Sequence, residues 1–242
     1  MGFLENILGQ KMRPHCSVVI VAAGLSTRMG ENKMKLSLSG MPVLARTLKV
    51  FQSCSDIDEI IVVVGQDEVE DTAYLCRDYG IDKATKVMIG GSTRAESALI
   101  GLLQISQKAE LAAIHDGARP LITCELISST IKTAQTYRAA APAVPVRDTV
   151  KETDGGEMVV NTPDRTRLMA VQTPQIFEPD LIKAALTDAI RKGISITDDC
   201  SAVEALGIKV RLTEGSEENI KLTTPLDVKI AEAILTDRER RQ

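Results

Sequence analysis

The alternation of short apolar runs with amphipathic stretches is the feature that most restricts the fold of this chain. Continuous β-rich runs, such as SVVIVAAG at 17–24 and DEIIVVVG at 58–65, are typical of strands buried on both faces. Further strands are predicted at 86–91, 111–117, 139–146 and 208–214, and helices at 42–54, 67–80, 93–106, 123–137, 179–192, 198–206 and 225–236. This order predicts an α/β fold: a doubly wound, mainly parallel sheet with helices on both faces.

One segment, residues 147–177, interrupts this alternation. It has strand-like residues around an Asp-Gly-Gly turn and no helical pattern. A hairpin here has little core of its own, and isolated hairpins are marginal in water. We therefore predict a protruding β-arm at about 147–172 that is used for dimerisation, with a mobile surface flap as the alternative. The arm belongs to a single predicted domain, 15–242, which follows an N-terminal extension, 1–14.

Composition and charge exclude several classes of partner. The net charge of −4 argues against a general nucleic-acid binder, which usually has a basic face. No apolar run approaches the roughly 20 residues that span a membrane. The five cysteines are scattered, odd in number and without metal-ligand spacing, which indicates free thiols in a reducing compartment. We expect a cytoplasmic protein that binds neither nucleic acid nor membrane.

Small residues and an aspartate follow three of the predicted strands, at the edge where parallel strands end. They are Ala22-Ala23-Gly24, Gly90-Gly91-Ser92 and Asp116-Gly117. Glycine at a strand end lets backbone N–H groups approach a phosphate or a flat base closely. The first of these turns is neither a GxGxxG nor a Walker A loop, and turn geometry alone explains such glycines about as well as ligand binding does.

Arg28 and Lys35 are the strongest indication of an anionic ligand. They lie seven residues apart, on a stretch that Gly30 and Asn32 keep from being helical. Two cations that converge from one loop suit a triphosphate, whose negative charge grows during transfer. Solvated surface cations are the alternative. There is no Ser-His-Asp or Cys-His arrangement, and His115, on a predicted buried strand, is interpreted as structural.

Seven motifs, in this order and spacing, resemble the 2-C-methyl-D-erythritol 4-phosphate cytidylyltransferase family. They are AAGLSTRMGENKMK, GGSTRAES, HDGARP, APAVPVRDTVKET, DRTRLMAVQTPQIF, TDDCSA and ENIKLT. The resemblance covers about residues 17–236. It implies a Rossmann-like nucleotidyltransferase fold and an enzyme of the non-mevalonate isoprenoid pathway. Such an enzyme joins CTP to methylerythritol phosphate, releases diphosphate and uses a divalent metal, usually Mg²⁺.

The resemblance also implies roles for individual residues. Arg28 and Lys35 match the pair that stabilises the pentavalent transition state. Arg165 and Lys221 match residues that position the sugar phosphate, and Thr149 matches a further contact to it. The implied nucleotide-binding residues are Ala22, Ala23, Gly24, Ser26, Gly90, Gly91, Ser92, Ser97, Asp116 and Gly117. Asp116 would also lie near the metal. In the family the arm crosses to a second subunit, so Arg165 and Thr149 would serve the neighbour's site in a homodimer.

Three positions depart from the family pattern. Met34 stands where proline commonly precedes the catalytic lysine, so the loop loses a fixed φ and could cost more to order. Ser26 replaces a frequent glycine, and Gly117 replaces a common alanine with little expected consequence. None of these changes removes a charged group.

Two points stay open at the level of sequence. Asp198 and Asp199 precede a predicted helix, so N-capping explains at least one of them, and a contact to sugar hydroxyls is the alternative for the other. The resemblance favours methylerythritol phosphate as substrate. A ribitol-5-phosphate cytidylyltransferase, or a non-catalytic nucleotide-binding regulator, would share much of the same pattern.

Overall fold

The computed structural model describes residues 13–24 and 34–241. Eight strands form the main sheet: β1 (Cys16–Val21), β4 (Glu59–Val64), β5 (Ala84–Ile89), β6 (Leu111–Asp116), β7 (Ala139–Pro145), β10 (Met169–Val171), β11 (Gln175–Phe177) and β12 (Arg211–Glu214). Two short ribbons pair β2 (Ser37–Leu38) with β3 (Met41–Pro42), and β8 (Glu152–Thr153) with β9 (Val159–Asn161).

Seven helices of the described residues accompany these strands. They are α1 (Val43–Ser53), α2 (Val69–Asp78), α3 (Arg94–Leu102), α4 (Cys124–Tyr137), α5 (Pro179–Lys192), α6 (Asp199–Ala205) and α7 (Pro225–Arg241). Two 3₁₀ turns lie at Gln66–Glu68 and Arg165–Arg167. None of these helices combines the length and the hydropathy needed to cross a membrane.

The strand order of the main sheet is β10-β7-β11-β6-β1-β4-β5, with β12 paired to β7. Strands β1, β4, β5 and β6 pair in parallel, as do β7 and β12, whereas β10 and β11 run antiparallel to their neighbours. Val21 at the end of β1 pairs with Val63 on one side and Asp116 on the other. The carboxyl ends of the central strands therefore meet at one edge.

Both faces of the sheet are covered by helices. Alternate residues of β1 point to opposite faces, and the whole strand is buried. On one face, Val18 and Ile20 share an apolar cluster with Phe51 of α1. On the other face, Val19 shares a cluster with Leu102 of α3. Each such buried side chain contributes about 1.5–3 kcal/mol. The predicted doubly wound α/β fold is confirmed.

Helix boundaries follow local signals in the sequence. Thr93 caps α3, since its hydroxyl accepts a hydrogen bond from the Glu96 N–H at 3.1 Å. Gly80, which we predicted to end the second helix, has a φ of +64°, a left-handed conformation that glycine adopts without strain. These signals explain why most element boundaries could be placed to within a few residues.

The segment predicted as an arm differs from expectation in two respects. Met169–Val171, within the predicted arm, belongs to the main sheet, because it pairs with the end of β7. A 3₁₀ turn at Arg165–Arg167 lies where no helix was expected. The ribbon of β8 and β9 is exposed on both of its strands. Its use in dimerisation stays a prediction.

The five cysteines are all free thiols, as their scatter predicts. Four are buried, and Cys124 is half-buried. Burial raises the pKa of Cys76 to about 11, so this thiol stays protonated and unreactive at neutral pH.

Candidate active site

A cleft of about 480 Å³ opens at the carboxyl edge of the central strands. This volume lies in the range of small-molecule sites, and the position is where open α/β sheets bind their ligands. Seven residues that the sequence analysis named as site residues line the cleft: Ala23, Gly24, Gly91, Ser92, Ser97, Asp116 and Lys221. The predicted nucleotide-binding turns thus come together.

Asp116 lines the cleft, and three cationic side chains lie within ion-pair distance of its carboxylate. It ends β6 and is almost completely buried. Lys221 Nζ lies 2.8 Å from its Oδ2, and Arg94 Nε lies 3.2 Å from its Oδ1. Arg119 Nε lies farther away, 3.7 Å from Oδ2. Burial alone would raise the pKa of Asp116, but the positive charges of Arg94 and Lys221 outweigh it and hold the pKa well below its ordinary value.

Arg94 is a cleft residue that the sequence analysis missed. Its guanidinium contacts Asp116 and also Asp199, whose Oδ2 lies 2.8 Å from Arg94 Nη2. Burial opposes the charge of Arg94, but the two carboxylates raise its pKa above the ordinary value. The sequence signal was its place in the GGSTRAES motif, at the start of a helix.

The two neighbouring aspartates before α6 have different roles. Asp198 is the N-cap, because its Oδ1 accepts a hydrogen bond from Ser201 N–H at 2.9 Å. This confirms that N-capping explains one of the pair. Asp199 is fully buried and faces Arg94. A direct contact of Asp199 to sugar hydroxyls is therefore not what the structure supports.

The glycines at the strand ends serve close packing more than donation to a ligand. A Cβ on Gly90 would lie 2.6 Å from Ala23 Cβ and 2.7 Å from Ser97 Oγ. The N–H of Gly90 donates to Val64 O, and the N–H of Gly91 donates to Ser97 Oγ. At these positions the backbone N–H groups are hydrogen-bonded within the protein, and their approach to a ligand stays a prediction.

Ala22 and Gly117 follow the same rule. The N–H of Ala22 donates to Val63 O at 2.7 Å, and the N–H of Gly117 donates to Val21 O at 2.9 Å. A Cβ on Gly117 would lie 3.1 Å from Ala22 Cβ, closer than an ordinary contact. Alanine at this position would require a small shift of its neighbours.

A buried polar network holds Asp116 and Lys221 in relation to each other. Thr173 Oγ1 accepts from the Asp116 N–H and lies 3.0 Å from His115 Nδ1. Asn219 Nδ2 donates to Thr173 O, which fixes the segment that carries Lys221. His115 is fully buried, and burial lowers its pKa to about 3. The structural role predicted for His115 agrees with this geometry.

Lys35 is placed apart from the cleft lining. Its Nζ lies 2.6 Å from Asp71 Oδ2, and the two side chains are 56% and 62% exposed. Hydrogen bonding to Asp71 raises the pKa of Lys35, so the ammonium is fully charged. Arg28 and Ser26 lie outside the described residues.

Two predicted contacts to the sugar phosphate lie on the arm. Thr149 and Arg165 are both exposed. Arg165 Nη1 donates to Arg147 O at 2.8 Å, so its guanidinium is held within the arm. In the described part of the chain, Lys221 lines the cleft, whereas Thr149 and Arg165 do not.

Asp116 is the one carboxylate that lines the cleft in the part of the chain described. Over the same residues, no group of three or more His, Cys, Asp or Glu side chains converges as a metal cluster would. Mg²⁺ is usually bound by one or two carboxylates together with substrate phosphates and water. One buried carboxylate at the edge of this cleft fits such a metal.

Comparison with known proteins gives consistent matches. A family model described as 2-C-methyl-D-erythritol 4-phosphate cytidylyltransferase matches residues 16–237. A protein of that name from Caldanaerobacter subterraneus is 45% identical over 226 residues, 90% of this chain and 98% of the relative. One from Halalkalibacterium halodurans is 46% identical over 227 residues, 93% and 99% of the two chains. Solved structures agree. The 4-diphosphocytidyl-2C-methyl-D-erythritol synthase of Anaerococcus prevotii has a TM-score of 0.82 at 32% identity, over 92% of this chain and 96% of that one.

Proposed function

Because the chain belongs to the 2-C-methyl-D-erythritol 4-phosphate cytidylyltransferase family, we propose how its residues divide the work of that reaction. The enzyme joins CTP and 2-C-methyl-D-erythritol 4-phosphate to give 4-diphosphocytidyl-2-C-methyl-D-erythritol and diphosphate, in isoprenoid biosynthesis. The observation that carries the proposal is the cleft that joins Asp116, Lys221 and the glycine turns at one sheet edge.

The attacking group is the phosphate of the sugar, and it needs no general base. A phosphate monoester is already mostly dianionic at pH 7, since its second pKa is about 6. What it needs is neutralisation and in-line placement. We assign this to Lys221, which lines the cleft, and to Arg165 and Thr149 of the arm. His115 takes no part, because it is buried and neutral.

CTP occupies the side of the cleft formed by the glycine turns. Among the described residues, nothing lies within 4 Å of where a Cβ on Gly24 would stand, which leaves room for a ligand against the backbone. We assign Gly91, Ser92 and Asp116 to the base and ribose side. Arg28 and Lys35 act on the triphosphate, where positive charge is worth most as the bond to the α-phosphorus breaks. Lys35 must then exchange Asp71 for phosphate oxygens.

Mg²⁺ is proposed as the cofactor, with Asp116 as its protein ligand. The metal supplies neutralisation of the triphosphate when it is bound. Both oxygens of Asp116 already face cations, at 2.8 Å from Lys221 and 3.2 Å from Arg94. Release of Lys221 toward the sugar phosphate would make one of these oxygens accessible.

A homodimer through the arm is proposed from the exposed apolar residues of the arm. Met158, Val159 and Val160 are all more than half exposed; Met158 directly precedes β9, and Val159 and Val160 begin it. Apolar side chains grouped in this way mark interaction surfaces. A partner subunit would cover them and would receive Arg165 and Thr149 in its cleft. Free thiols throughout agree with the cytoplasm as the compartment.

Release of diphosphate tests the function. Purified protein with Mg²⁺ is supplied with CTP or UTP, and with methylerythritol phosphate or ribitol 5-phosphate. We expect rapid release only from CTP with methylerythritol phosphate. Preference for ribitol 5-phosphate would move the enzyme to the related cytidylyltransferase class. CTP binding without any turnover, under conditions where a known family member works, would support the regulator instead.

A further inference from the structure

The guanidinium group of Arg94 bridges two carboxylates that come from different elements. Its Nε lies 3.2 Å from Asp116 Oδ1 at the end of β6, and its Nη2 lies 2.8 Å from Asp199 Oδ2 in the first turn of α6. Arg94 itself begins α3 and lines the cleft. Two ion pairs therefore link Asp116 in the cleft, through Arg94, to the buried Asp199.

Among the described residues, Arg94 is the charged partner of Asp199. The carboxylate is fully buried, and within residues 13–24 and 34–241 neither of its oxygens accepts a hydrogen bond of good geometry. Capping of α6 is carried out by Asp198. A buried carboxylate is costly unless a cation compensates it, and burial raises the pKa of Asp199 while Arg94 opposes that rise. The ion pair with Arg94 accounts for a charged residue at this position.

Asp199 is also held rigidly. Gln175, on the central strand β11, contacts the residues on both sides of it. The Gln175 Nε2 donates to Asp198 Oδ2 at 2.7 Å, and its Oε1 accepts from the Cys200 N–H at 2.9 Å. The carboxylate of Asp199 is therefore a fixed anchor for a longer side chain.

The other two cations near Asp116 are Lys221 and Arg119, and each of them has a further contact or a further proposed role. Lys221 lies 2.8 Å from Oδ2, but in the proposed reaction it turns to the sugar phosphate. Arg119 Nη1 donates to Asn219 O at 2.7 Å, and its Nε is 3.7 Å from Oδ2. Arg94 is the contact of Oδ1, and it does not depend on the second substrate.

We propose that Asp199 is a positioning residue of the transferase: it fixes the guanidinium of Arg94, which keeps Asp116 oriented toward the nucleotide while Lys221 moves to the sugar phosphate. This inference rests on the role proposed above for Asp116. It adds a residue that touches neither substrate to the set that determines CTP affinity.

The first test is Asp199→Asn, which keeps the shape of the side chain and removes its charge. We expect the Kd for CTP, measured by calorimetry at fixed Mg²⁺ without sugar phosphate, to rise about tenfold or more, as loss of an orienting partner usually does. The KM for methylerythritol phosphate should change little. The thermal midpoint should stay near that of the wild type, because the guanidinium of Arg94 keeps its ion pair with Asp116 when the charge of Asp199 is lost. Asp78→Asn, the same change at an exposed carboxylate of α2, is the control and should alter none of these values.

A double-mutant cycle shows whether Asp199 acts through Arg94. In the Arg94→Met background, Asp199→Asn should weaken CTP binding no further. Effects that multiply in the double variant, or CTP affinity of Asp199→Asn equal to that of the wild type, would overturn the proposal. If Arg94→Met alone does not fold, the Asp199→Asn result decides. Failure of the wild type to release diphosphate would instead contradict the proposed function, so the two failures are distinguishable.

Discussion

Lys35 has a resting contact in the structure, and we propose a catalytic contact for it as well. In the resting contact its ammonium lies 2.6 Å from Asp71 Oδ2 at the protein surface. An exposed ion pair of this kind contributes only about 0–1 kcal/mol, so a triphosphate with several negative charges can replace it. Loss of the proposed catalytic contact should therefore lower the reaction rate strongly, whereas loss of the resting contact should have little effect on stability.

Lys35→Ala should lower kcat by about 10²-fold or more, since a cation that acts on the transition state is lost. Lys221→Ala should instead raise the KM for methylerythritol phosphate, with CTP binding retained. Steady-state kinetics with each substrate varied, together with calorimetry for CTP, separates the two effects. Lys49→Ala, at an exposed position of α1, is the control. If both active-site variants lost only a little CTP affinity, the proposed division of labour would be wrong.

Asp71→Asn should make Lys35 easier to recruit. Because the exposed pair is worth at most about 1 kcal/mol, we expect the KM for CTP to fall by at most about fivefold, with kcat unchanged. Asp78→Asn, which changes another exposed carboxylate of the same helix, should have no effect. A fall in kcat for Asp71→Asn would mean that Asp71 takes part in the reaction rather than competing with it.

At the scale of elements, the glycines differ in what surrounds them. A Cβ on Gly101 of α3 would lie 2.3 Å from Val19 Cγ1, whereas a Cβ on Gly24 would contact nothing within 4 Å among the residues that the structure describes. The first glycine lets a helix approach the sheet. The second leaves space at the mouth of the cleft. One methyl group should therefore act on stability in one place and on binding in the other.

Gly101→Ala should lower the free energy of unfolding by about 1–3 kcal/mol through overpacking. Gly24→Ala should leave stability within about 0.5 kcal/mol of the wild type and raise the KM for CTP. Urea unfolding and CTP kinetics of both variants test the contrast. Equal stability losses in the two variants, or an unchanged KM for Gly24→Ala, would contradict this account of the cleft.

Most elements could be predicted from periodicity because their signals are local. The helix predicted at 179–192 is Pro179–Lys192 in the structure, with Pro in its first turn and Gly193 at its end. The placement of Met169–Val171 in the main sheet could not be predicted, because its partner strand β7 is distant in sequence and three residues carry no clear pattern. The burial of Asp199 was missed for a similar reason: burial is a property of the assembled fold.

In the candidate site, residues that belong to a sequence motif could be predicted, whereas contacts between residues distant in sequence could not. Turn residues and cations with a motif around them, such as Gly91 and Lys221, were identified and do line the cleft. Arg94 and the contact of Lys35 with Asp71 were not, since both depend on which side chains meet across 22 and 36 positions of the sequence. Sequence reasoning indicated the chemistry of the cleft but not its supporting contacts.

At the scale of the whole molecule, the proposed dimer predicts that two chains share each cleft. Lys221 lies in the cleft of its own chain, whereas Arg165 lies on the exposed arm. If the arm enters the partner's cleft, one chain supplies Lys35 and the other supplies Arg165. Each complete site would then be composite.

Mixing inactive Lys35→Ala and Arg165→Ala chains tests this composition. In a mixed dimer with exchanged arms, one site has both lesions and the other has none. Half of randomly formed dimers are mixed, so activity should recover to about a quarter of the wild-type value. With sites built from single chains, every site keeps a lesion. No recovery in dimers whose mixing has been verified would therefore refute the exchange.

The cleft draws its walls from distant parts of the chain, from Val21 to Lys221. Contacts between residues so far apart close large loops, and they form late because chain entropy is lost before they give any gain. A partly folded chain that has its first strands and helices still lacks the pair of Asp116 with Lys221. In a refolding experiment, CTP turnover should therefore recover with the slowest kinetic phase, in which the last long-range contacts of the cleft form.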